Sequence, residues 1–299
     1  MGVVLGLLTA LAWGSSDFLA RFATRRVGSL RTTLYMQLAG LALLTIFLRW
    51  IGGWGHLMDG SGWQPWAWGT LAGIVNGVAT LSLYRSFEVG KMAVVAPLSA
   101  SYPALTVLLS VFSGEHLTSV RAAGIVCILV GVVVVARGET ESAGSEGASQ
   151  PASENKPRTG MGWALLSAAG FGVLFWLLGT RVVPAVGFAS TVWMIRLSSS
   201  LLTICVLLLL KQTLALPRRS DGQSSVSVWL LGIGVLDTGA FVLNNRGLQL
   251  EQVSVVSVLA SLYGAVTVIL AAVFLRERLS RWQWLGIVGI FAGIGLISR

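Results

Sequence analysis

Two ionisable residues lie deep inside apolar stretches of the chain, Arg196 and Asp237. A charge at membrane depth is costly, so such residues are candidates for function by default. Asp237 offers a carboxylate to an ammonium group or a coupling proton. Arg196 offers a planar fork of donors that fits a carboxylate or a phosphate. Together they suit a zwitterion such as an amino acid. The plainer alternative is that the two pair with each other and cancel, and both readings hold if a substrate breaks the pair. Asn76 and Gln37 place hydrogen-bonding side chains at similar depth. Asp17 has Arg21 one turn further along its helix, a spacing that favours a local ion pair near the interface.

Aromatic side chains form a second candidate group. Trp13, Tyr102, Trp176, Trp193 and Tyr263 fall within apolar stretches, where a ring with a polar handle can line a pocket or stack on a cation. Trp54, Trp63, Trp66, Trp68, Trp282 and Trp284 cluster at the ends of stretches and are expected as interfacial anchors. Pro97 and Pro103 should bend the helix that carries them, because each removes a backbone donor and crowds the preceding turn. Arg85 and Arg246, with Glu88 and Glu251 nearby, are expected as anchors or gate pairs in preference to solute contacts.

Catalytic constellations are missing from the sequence. His56 and His116 both sit in loops, so no histidine pair has metal-ligand spacing. No Gly-rich loop ending in Lys-Ser/Thr is present, which argues against an ATP-driven pump. No metal or cofactor is expected, and the chain is not expected to be an enzyme. Cys127 and Cys205 are too few for a disulfide framework and are expected to act as small hydrophobes.

The elements that hold these residues follow from composition. Of 299 residues, 55% are hydrophobic and 11% are charged, against about 25% charged in a soluble domain. Apolar runs of roughly 18–25 residues follow one another almost end to end, each long enough to cross a hydrocarbon core about 30 Å thick. Segments such as 120–136 are apolar on every face, which excludes the alternation of a β-barrel strand. Spans are expected at about 3–21, 32–50, 66–87, 91–112, 118–137, 160–181, 187–211, 226–247, 252–275 and 281–298. The first run has no basic region before it and is expected to be a span, not a cleaved signal. The net charge of +9 belongs to Lys and Arg at the ends of runs, where they orient helices. Nucleic acid is not an expected partner. A small-molecule substrate and the lipid bilayer are. Oligomeric state is not readable.

Residues 138–159, rich in Gly, Ser and Glu, are expected to be a flexible polar linker between residues 1–137 and 160–299. The two halves match. Tyr84-Arg85, Val94-Val95 and Tyr102–Val107 meet Asn245-Arg246, Val255-Val256 and Tyr263–Val268 at an offset of 161 residues, which also pairs Asn76 with Asp237. After one inserted residue, Gly124 and Gly131 meet Gly286 and Gly293. Earlier in each half, Thr33–Met36 aligns with Thr191–Met194 at an offset of 158. Five spans per repeat is odd, so the second half must enter the membrane from the opposite side. The expected fold is therefore an all-α membrane protein of ten transmembrane helices, two inverted five-helix repeats around a central cavity. Inverted repeats meeting at a midplane site are a recurring transporter architecture.

Trp13-Gly14, Val94–Leu98 with Tyr102-Pro103, and the turns Gly114–Leu117 and Arg276–Leu279 resemble the EamA-like branch of the drug/metabolite transporter superfamily. The resemblance covers nearly the whole chain. It implies ten helices, a central cavity and transport of small metabolites, often export of amino acids or related compounds, across a bacterial inner membrane. Val258 and Gly264 replace the two prolines in the second repeat, so a bend there is expected to be weaker or differently placed. Loops after odd-numbered spans hold fifteen of the 21 Lys and Arg, which puts them and the linker in the cytoplasm and both termini outside. The resemblance implies the reverse. The function that follows is a secondary transporter driven by a solute, proton or voltage gradient. Its rivals are a lipid-linked sugar flippase, an integral-membrane enzyme and a scaffold.

Overall fold

The computed structural model of the chain describes residues 2–113, 118–145, 157–216, 226–250, 253–276 and 279–297. In the first half these form α1 (Gly2–Val27), α2 (Ser29–Ile51), α3 (Gln64–Val89), α4 (Met92–Ser99), α5 (Pro103–Phe112) and α6 (Ser119–Ser145). The second half holds α7 (Pro157–Leu177), α8 (Val183–Val186), α9 (Phe188–Leu209), α10 (Val226–Leu250), α11 (Val253–Ser261), α12 (Tyr263–Leu270) and α13 (Arg281–Ile297). Six stretches are long and apolar enough to cross a membrane: Ser29–Ile51, Met92–Phe112, Gly160–Val186, Phe188–Leu209, Val226–Leu250 and Val256–Leu275. The other four expected spans coincide with α1, α3, α6 and α13. Leu201, Leu208, Val235 and Ile269 all point outward. In water such a surface is a liability, whereas lipid accepts it. This is an all-helical, multi-pass membrane architecture.

Packing repeats itself between the halves. α1 lies along α10 as α3 lies along α7, and α6 pairs with α13. The Thr106 hydroxyl lies 3.1 Å from the Gly172 carbonyl, and the Thr267 hydroxyl lies 3.4 Å from that of Gly14. These two contacts exchange equivalent residues, so the halves are related by an approximate twofold.

Where the halves differ by one residue, the second carries a π-helical turn. One π turn covers Leu178–Val182, between α7 and α8, and another covers Ala271–Leu275, after α12. A π-bulge accommodates one extra residue in a helix. The first turn corrects the register expected for α2 and α9. Both helices begin after a glycine with the same left-handed backbone, Gly28 at φ 85° and Gly187 at φ 96°, a conformation glycine adopts at no steric cost. These caps are 159 residues apart, one more than the 158 read from Thr33 and Thr191. Packing agrees, because a Cβ on Gly73 would meet Ser198 where one on Gly234 would meet Ala39.

In the second repeat the interruption is shorter but falls at the equivalent place. α4 and α5 are separated at Ala100–Tyr102, with Pro97 inside α4 and Pro103 opening α5. α11 and α12 are separated at Leu262, the equivalent place, without either proline. A Cβ on Gly264 would lie 2.6 Å from the Cβ of Ala100, so the two interrupted helices touch at their breaks.

α6 continues to Ser145, eight residues into the segment expected as linker. Residues 157–159 of that segment open α7, and 146–156 lie outside the described residues, as do His116, Glu251 and most of the Gly114–Leu117 and Arg276–Leu279 turns.

Candidate functional site

A narrow cleft lies between the repeats, with about 20 Å³ in which the centre of a water molecule fits. The first repeat supplies Trp13 and Asp17 from α1, Thr80, Leu83 and Tyr84 from α3, and Tyr102 from the break after α4. From the second come Phe171 and Phe175 on α7, Asp237 and Phe241 on α10, and Tyr263 at the start of α12. The crossed packing of α1 on α10 and α3 on α7 creates the cavity, and the helix breaks aim the two equivalent tyrosines into it.

Its walls are mostly aromatic. Trp13 stands edge-on to Phe241 and Tyr263, with ring centres 5.0 and 6.2 Å away, and is tilted against Phe175 at 5.6 Å. Tyr102 packs on Phe175 at 4.8 Å. These offsets suit ring quadrupoles and leave negative faces available to a cation. The Tyr102 hydroxyl donates to the Ser257 carbonyl at 2.9 Å. Its counterpart on Tyr263 has no hydrogen-bond partner among the described residues.

Two carboxylates face this cage in different states. Asp237 accepts from Nη2 of Arg196 at 2.6 Å. Asp17 has no ion-pair partner among the described residues and is 4% exposed. The expected Asp17–Arg21 pair does not form, because Nη1 of Arg21 donates instead to the carbonyls of Phe87 and Gly90 at the end of α3. Those carbonyls end a helix and lack intrahelical donors, which draws the guanidinium away.

The remaining candidates sit elsewhere. Arg196 is fully buried behind the cavity, held by Asp237, by Gln37 Oε1 at 2.7 Å and by the Phe241 ring at 5.1 Å. It does not line the cavity, and it pairs with Asp237 as the plainer reading expects. Gln37 supports Arg196, and Asn76 donates to Ser199 at 3.2 Å. Neither reaches the open space. Trp176 and Trp193 are corrected as cavity residues: their indoles donate to Ser113 at 2.9 Å and Thr45 at 3.0 Å, and Trp193 meets Trp54 edge-on. Each lies on the side of its helix away from the cage.

Arg85 pairs with Glu88 at 2.9 Å, and Glu88 also accepts from the backbone of Ser29 at the start of α2. Arg246 bonds Gln249 and overlies Phe188. Both arginines sit at helix ends, away from the cage.

Phe171, Phe175, Phe241 and Tyr84 were not among the sequence candidates, and Asp17 was assigned a structural partner. A signal for them existed. Gly14 matches Gly172 at an offset of 158, which pairs Trp13 with Phe171 and Asp17 with Phe175.

Comparisons with known proteins agree with this architecture. An uncharacterized protein of Methanocaldococcus jannaschii is 28% identical over 135 residues, covering 44% of this chain and 94% of its own length. A solved crystal structure superposes with a TM-score of 0.65 at 17% identity, covering 99% of this chain and 95% of the other, which is a likeness of fold. Residues 1–137 and 158–299 both match the EamA-like transporter family. The chain, a membrane protein of two like halves with a cavity between them, belongs to the EamA-like transporter family.

Proposed function

We propose that the protein is a secondary transporter that carries a small organic solute bearing a protonated amine, by alternating access of two inverted five-helix halves. The ten spans, the inner-membrane location and export as the direction are parts of this reading. The observation that carries it is Asp17, a buried carboxylate without an ion-pair partner among the described residues, facing a cage of aromatic rings. A carboxylate removed from water without a partner is expensive, and an ammonium entering the cage supplies that partner while the rings add cation–π attraction. The Tyr263 hydroxyl, unpartnered among the described residues, is placed to accept a second N–H. Amino acids also need a cation for their carboxylate. Arg196 is committed to Asp237 and Gln37, so the cavity favours amines without a carboxylate.

The test is uptake of radiolabelled benzylamine, tyramine and a panel of amino acids into liposomes holding the purified protein, beside an Asp17→Asn variant. The expected result is amine uptake that the variant lacks. Transport of amino acids alone, or amine uptake untouched by the substitution, contradicts the proposal.

A further inference from the structure

The cavity holds two carboxylates but only one of them lacks a partner, and Arg196 is the cause. Its guanidinium is fully buried and reaches Asp237 at 2.6 Å from behind the cavity wall. Gln37 Oε1 and the face of Phe241 hold it there. Gln37 is neutral and cancels none of its charge. The other charged group near Asp17 on α1 is Arg21, directed at the carbonyls of Phe87 and Gly90. The hydroxyls of Tyr84, Tyr102 and Tyr263 complete the polar wall and carry no charge as phenols. The acidic and basic groups at the cage are thus Asp17, Asp237 and Arg196, whose net charge is minus one when both carboxyls are ionised.

We propose that Arg196 sets the valence of the solute: by cancelling Asp237 it restricts the cavity to organic cations with a single positive charge. This deepens the amine-transport reading and rests on it. In a poorly solvated site a second positive charge finds no partner, and Arg196 itself repels it. A monovalent amine leaves the site neutral. Dispensing with both Asp237 and Arg196 would leave the same sum, which makes the proposal testable by charge arithmetic.

The experiment is competition for radiolabelled benzylamine binding to the purified full-length protein, with benzylamine and p-xylylenediamine as competitors. These differ by one aminomethyl group and one charge. The wild type is expected to prefer benzylamine at least tenfold. Arg196→Gln, with two uncancelled carboxylates, is expected to reverse that preference. Asp237→Asn, leaving Arg196 against Asp17, is expected to weaken both amines at least tenfold. The double variant Arg196→Gln/Asp237→Asn is expected to recover benzylamine binding and the wild-type preference. If Arg196→Gln does not fold, Asp237→Asn and the double variant decide the matter between them. A double variant as weak as Asp237→Asn, or an unchanged preference in Arg196→Gln, overturns the proposal while amine transport stands. A wild type that binds neither amine overturns the amine reading itself.

Discussion

Gln37 and Arg196 occupy equivalent places in the two repeats, each nine residues after its helix's capping glycine, and they touch each other, Nη1 to Oε1 at 2.7 Å. Their neighbours Asn76 and Asp237 are likewise equivalent. The first half has a neutral amide at each of the two positions, and the second has an ion pair. The contacts differ accordingly: Arg196 bonds Asp237, whereas Gln37 bonds Arg196 and Asn76 bonds Ser199.

Removing one member of the buried pair should be worse than removing both. Arg196→Met strands Asp237 and is expected to cost about 3–5 kcal/mol, whereas replacing both with apolar residues of similar volume is expected to cost far less. Unfolding in mixed micelles by a denaturing detergent measures this. Equal losses in the single and double variants would show that the pair is not a unit.

Asp17 should show the opposite sign. Asp17→Asn replaces a buried carboxyl without an ion-pair partner among the described residues by a neutral isostere, so the variant is expected to keep or gain stability while losing amine uptake. A thermal melt beside the uptake assay reads both. A fall in stability would mean that Asp17 has a structural partner after all.

The crossing of the two helix breaks predicts a suppressor. Gly264→Ala places its Cβ 2.6 Å from that of Ala100 and is expected to cost about 1–3 kcal/mol through overpacking. Adding Ala100→Gly should return most of that loss. Failure of the second substitution to rescue would place the strain elsewhere.

A pH effect is expected in the loop between α2 and α3. The Asp59 carboxyl is lowered from 3.8 to about 2, first by the Ser61 hydroxyl, then by His56 at 2.5 Å and the Ser61 amide. A depressed carboxylate stabilises the fold fully above its unfolded pKa, and the contribution is lost as pH falls through the folded value. The local contribution should thus be intact above pH 3.8 and gone below about 2. Carboxyl chemical shifts of Asp59 followed through this range check it, and a midpoint near 3.8 contradicts it.

The membrane class, the repeat and a place between the halves for Asp237, Trp13, Tyr102 and Tyr263 were readable from composition, internal offsets and the cost of charge in lipid. The partners of the charges were not. Arg21 is one turn from Asp17, yet carbonyls at the distant end of α3 hold it, and no local spacing encodes that. Trp176 and Phe175 are neighbours in sequence, and only the rotation of α7 decides which ring faces inward. The register of α9 was off by one because a π turn is invisible to pattern matching. Its signature is the inserted residue itself, which stands out once Gly28 and Gly187 are aligned as caps.

The approximate twofold has an arithmetic consequence. Were the two halves identical, every charge near their axis would occur twice, and the cage would carry an even number. Because they are joined in one chain and have diverged, Asp17 faces Phe175 at the matching place in α7, and Arg196 faces Gln37. The odd charge proposed for the centre is one that only unlike halves can have. The seam between them is thus where the protein is free to choose the parity of its cargo.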